Sequence, residues 1–117
     1  MKLKNEYLCF KNGRDALSYL ETTKKWPFLI FCDINMPIMD GLELRQEIVK
    51  NDYLREKSIP FVFLTTTAIP SGLKLAYSLT VQGFFVKPIN YKEHQDLVKR
   101  VVDYWQICQR PNHLGVA

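Results

Sequence analysis

Three short apolar runs constrain this chain more than any other feature. Phe28-Leu29-Ile30-Phe31-Cys32, Phe61-Val62-Phe63-Leu64 and Phe84-Phe85-Val86 are bounded by polar or turn-forming residues. They are short for helices and too continuous for strands with one wet face. Such runs fit parallel strands covered on both sides. Segments with helical spacing lie between them. Leu44, Ile48 and Val49 follow Gly41, and Leu73, Ala76 and Tyr77 follow Pro70-Ser71. Leu97, Val98, Val101, Val102 and Trp105 follow Asn90, which with Glu93 has the spacing of a capping box. Upstream, Tyr7-Leu8-Cys9-Phe10 reads as a further strand. Ala16, Leu17 and Leu20 form one helical face, with Asn12 as N-cap. Asn51 to Ser58 is polar and reads as a loop. The order is therefore β-α four times over, which predicts a doubly wound parallel sheet with helices on both faces. A chain of 117 residues holds one core. We expect a single domain over residues 1–111 and a C-terminal tail over 112–117.

Composition narrows the function classes. Apolar residues make up 47% and charged residues 24%, which is a globular balance. No apolar run approaches the length of a membrane span, and the N-terminus lacks a signal-peptide core. A cytoplasmic protein with no membrane contact is expected. The formal net charge of +4 is spread over scattered lysines and arginines, with no basic stripe interleaved with aromatics, so no nucleic-acid surface is expected. Cys9, Cys32 and Cys108 form no CxxC pair. Cys9 and Cys32 lie in apolar runs and read as buried, inert thiols. His94 and His113 lack a partner at zinc spacing.

The chemistry lies just beyond the strands. In doubly wound sheets, ligands bind at the carboxyl ends of the strands. Asp33, Thr65 and Lys87 follow the three runs directly or nearly so. A carboxylate, a hydroxyl and an ammonium would then share one rim. The carboxylate can accept a phosphoryl group as an acyl phosphate, and the other two can hold the phosphoryl oxygens.

Asp33-Ile34-Asn35-Met36-Pro37-Ile38-Met39-Asp40-Gly41, Leu64-Thr65-Thr66 and Gly83-Phe84-Phe85-Val86-Lys87-Pro88 resemble the signature of response-regulator receiver domains. The resemblance runs from about Tyr7 to Pro111. Val102-Asp103-Tyr104-Trp105 and the Asn51–Ser58 loop are similar to stand-alone receivers of the cyanobacterial-phytochrome response-regulator type. The resemblance implies a flavodoxin-like fold. It makes Asp33 the phosphoacceptor, Thr65 and Lys87 the phosphoryl-binding pair, and Phe84 the rotating switch residue. A core aromatic is an equal reading of Phe84. The resemblance also implies that Asp33 and the Asn35 backbone carbonyl bind Mg²⁺, and that the Lys87–Pro88 bond is cis.

The chain departs from that pattern at its start. It begins at what resembles the family's second strand, giving four strands and four helices instead of five and five. The absent strand would carry an acidic pair, so Mg²⁺ binding is expected to be weak or absent and phosphotransfer slow. The expected function is a phosphorelay receiver, not an enzyme. It would take its phosphoryl group from a sensor histidine kinase and signal by contact with a downstream protein or a second copy. The alternative is a phosphorylation-independent binding module. A phosphoaspartyl hydrolase of the haloacid-dehalogenase kind would need an Asp where Asn35 stands.

Overall fold

The computed structural model describes residues 9–67 and 69–109. The chain order is α1 (Gly13–Thr22), β1 (Ile30–Cys32), α2 (Gly41–Lys50), α3 (Asp52–Glu56), β2 (Phe61–Thr65), α4 (Pro70–Ser78), β3 (Gly83–Val86) and α5 (Tyr91–Ile107). The three apolar runs supply the three described strands, with Phe28 and Leu29 falling before β1, and these strands are parallel and ordered β1-β2-β3. Ile30 pairs with Phe61 and Cys32 with Phe63, while Thr65 pairs with Val86. β2 is central and all five of its residues are buried.

Side chains alternate across the sheet, as a period of two requires. Phe61 and Phe63 join Cys32, Leu20, Leu44, Ile48, Leu54 and Ala76 in a core on the side of α1 to α4. Leu64 faces the other way, onto Val98 and Val102 of α5, with Phe28, Leu29, Phe31 and Phe85 partly buried around them. Among the described residues nine buried side chains make the first cluster and three the second, and α5 is the described helix over that thinner layer.

Helix ends follow local chemistry. Asn12 caps α1 by accepting from the Asp15 N–H at 2.8 Å. Asp40 and Glu43 close a full capping box on α2. Asn90 caps α5 by accepting from the Glu93 N–H at 3.1 Å. α4 starts at Pro70 without a side-chain cap, and Ala76 is its one buried residue. Its far end is held by Arg45 of α2. The guanidinium donates from Nε to the Leu79 carbonyl (3.0 Å) and from Nη2 to the Thr80 carbonyl (3.1 Å).

Several expectations need correction. The Asn51–Ser58 segment contains the short helix α3, so there are five described helices, not four. Asn51 caps α3 by accepting from Leu54 N–H at 3.1 Å, and Leu54 and Lys57 are buried. Lys57 keeps its ammonium 4.5 Å from the Tyr53 ring centroid and donates to the Lys25 carbonyl, so its stem can be covered. Three strands are described where four were expected. Tyr7 and Leu8 of the first expected strand lie outside the described residues, while Cys9 and Phe10 are outside any described strand, and Cys9 is exposed, not buried. The described part of the chain contains no cis peptide, so Lys87–Pro88 is trans, the isomer favoured for most X–Pro bonds. The expected tail, 112–117, lies outside the described residues.

Candidate functional site

Asp33 follows β1 directly. Its Oδ1 accepts from the Asn35 N–H at 3.1 Å, and its Oδ2 lies 3.6 Å from Lys87 Nζ. Both side chains are about one-third exposed, so the ion pair stands at the surface of the rim. The Lys87 N–H donates to the Thr65 carbonyl at 2.6 Å, which extends the β2–β3 ladder and fixes the lysine beside the strand ends. Thr65 is 1% exposed, and among the described residues its Oγ1 has no hydrogen-bond partner. Buried hydroxyls are nearly always paired, so this group stands out among the described polar atoms.

The backbone around Asp33 is tightly cast. Gly41 donates to the Ile34 carbonyl at 2.9 Å. A Cβ at Gly41 would collide with the Asp33 carbonyl oxygen and lie 2.9 Å from the Phe63 ring. Only glycine allows α2 to start this close to the strand end. Ile38 has φ of 69°, an uncommon conformation for a β-branched residue, and strain of this kind concentrates at functional loops. Cys32 lies beneath, its thiol donating to the Asp33 carbonyl at 3.2 Å. Burial, and then the charges of Asp33 and Asp40, push its pKa up to about 12.

Asp33 and Lys87 thus meet, and Thr65 is tied to Lys87 through the backbone. Phe84 is partly buried, packed on the α1–α4 core with its ring 5.9 Å from that of Phe63. Sequence reasoning missed one contributor, Asp40, which caps α2 and whose charge bears on the Cys32 thiol. Asp40-Gly41-Leu42-Glu43 has capping-box spacing and was legible. Among the described residues, no three acidic, histidine or cysteine side chains come together as a metal ion requires.

The family model for the response regulator receiver domain matches residues 3–101. The chain belongs to this family. As a receiver domain it is a signalling module with a flavodoxin-like α/β fold. Response regulator Rcp1 of Synechocystis sp. is 30% identical over 106 residues, covering 86% of this chain and 71% of that protein. Probable methanogenesis regulatory protein FilR2 of Methanothrix harundinacea is 30% identical over 99 residues, covering 81% of this chain. The receiver spans 63% of FilR2 and 22% of the Salmonella typhimurium regulator NtrC, so it matches only part of these relatives. Among solved structures, the phosphorylated cyanobacterial phytochrome response regulator RcpA superposes with a TM-score of 0.80 at 28% identity, over 87% of this chain and 76% of that one. The Mn²⁺-bound form of Rcp1 gives 0.76 at 29% identity, over 86% and 76%. No helix of the described residues is long and apolar enough to cross a membrane.

Proposed function

We propose that this receiver domain accepts a phosphoryl group on Asp33 from the phosphohistidine of a sensor kinase and signals by protein contact, without turning over a substrate of its own. A carboxylate oxygen of Asp33 attacks phosphorus, the P–N bond to the imidazole breaks, and the departing imidazole nitrogen takes up a proton from water. Lys87, already 3.6 Å from Asp33, stays with the new anion. The observation that carries the reading is the buried Thr65 hydroxyl, without a partner among the described residues, at the end of the strand that Lys87 bonds through its backbone. The phosphorylated state of RcpA, a neighbour at 28% identity, supports it.

A second reading, a binding module that works unphosphorylated, is favoured by one observation. The described residues gather no three-ligand metal group. A metal supplies charge neutralisation to phosphoryl transfer. We therefore expect Mg²⁺ to bind weakly and phosphotransfer to be slow. Incubation with acetyl phosphate and Mg²⁺, followed by intact-mass analysis, separates the two. A phosphoryl adduct that vanishes in Asp33→Asn supports phosphotransfer. An unmodified mass after prolonged incubation supports the binding module. Tight Mg²⁺ binding by calorimetry would overturn the expectation about the metal.

A further inference from the structure

The pole of the sheet opposite Asp33 holds a cavity of about 360 Å³. This falls within the size range of small-molecule sites, about 300–1,000 Å³. Leu20, Ile30, Ile48 and Leu54 supply aliphatic wall and Trp105 of α5 an aromatic one, while among the described residues no Asp or Glu lines it. Arg45 does line it, and at 8% exposure it is a buried cation. Among the described residues no carboxylate pairs with it. Its Nε and Nη2 are taken up by the Leu79 carbonyl and by the carbonyl and hydroxyl of Thr80. The carbonyls at the end of α4 offset at most about half a charge. Nη1 donates to no described acceptor, yet it is not among the sealed polar atoms. A buried charge without a counter-ion is costly, and an anion with an apolar body would relieve that cost while filling the cavity. Arg55, on the same wall, adds a second cation, although Asp52 already pairs with it at 2.7 Å.

We propose that this cavity binds a small amphipathic carboxylate, with its anionic end on Arg45 Nη1 and its apolar body against Ile30, Ile48, Leu54 and Trp105. The site is independent of Asp33, so its failure would leave the phosphotransfer reading untouched, and the reverse also holds.

The test is an amide and indole NMR titration of the full chain with sodium hexanoate and, at matched ionic strength, with neutral hexanamide. Hexanoate should give saturable shifts at Ile48, Thr80 and the Trp105 indole, and hexanamide should bind at least about tenfold more weakly. Val49→Trp, which fills the cavity and leaves Arg45 in place, should abolish the hexanoate shifts. Equal binding of the two probes would show a plain apolar void and overturn the proposal. So would shifts that stay linear with both, or hexanoate binding that survives in folded Val49→Trp. The comparison of probes on the unaltered protein needs no variant and stands even if the tryptophan substitution unfolds the chain.

Discussion

A hydroxyl buried without a partner, like that of Thr65, costs free energy in the resting protein. Thr65→Val keeps the shape and removes the unpaired group. The unphosphorylated variant is expected to gain about 1 kcal/mol, read as a higher urea midpoint, while its phosphoryl adduct forms more slowly or decays faster. A loss of stability of that size would mean that the hydroxyl is bonded in solution. Cys32 makes a second prediction. With its pKa pushed up to about 12 by burial first and by Asp33 and Asp40 next, it stays a neutral thiol in the folded state where an ordinary cysteine, at 9.0, would ionise. Its contribution to stability is complete below about pH 9, declines as the unfolded thiol ionises, and is exhausted at about pH 12. Iodoacetamide near pH 8 should therefore label exposed Cys9 in the folded protein and spare Cys32. Equal labelling of both would refute the buried-thiol account. At this scale the meeting of Asp33 with Lys87 was legible, because a polar residue closing an apolar run has to lie at a strand end. The state of the Thr65 hydroxyl was not, since it depends on neighbours far away in the chain.

Among the elements, α2 shows where sequence patterning succeeds and where it fails. Its start was legible as Gly41. Its inner face was read as Leu44, Ile48 and Val49, whereas the buried stripe is Gly41, Leu44, Arg45 and Ile48. Arg45 holds an i+4 position on that stripe. A charged residue there looks like solvent face until its acceptors, Leu79 and Thr80, are brought in by α4. The Asn51–Ser58 segment misled for a related reason. Polar residues hide a one-turn helix whose only large apolar inward residue is Leu54. The capping box of α2 gives a test at this scale. Asp40→Ala removes the acceptor for Glu43 N–H, now at 2.8 Å, and should lower stability by about 1 kcal/mol in urea denaturation. No change would mean that α2 is held by packing alone.

For the molecule as a whole, the α/β class and the parallel sheet could be read from three apolar runs, because continuous burial leaves few other arrangements. The number of strands was harder to read, since β1 stands at an edge of the described sheet. Native-state hydrogen exchange should rank the strands accordingly. Amides of Phe61 to Thr65, bonded in the centre and fully buried, should exchange slowest, and those of β1 sooner. Equal protection of β1 and β2 would show that the edge is covered in solution. The strand–helix order has one further result. α2, α4 and α5 each begin where a strand has just ended, and α1 begins at the same pole, its Gly13 N–H bonded to the Met39 carbonyl at 2.8 Å. Four helix dipoles therefore point their positive ends the same way, making the molecule electrically lopsided along the strand axis. On the phosphotransfer reading proposed above, a dianionic phosphodonor would be drawn toward this pole before contact, and added salt would slow that approach.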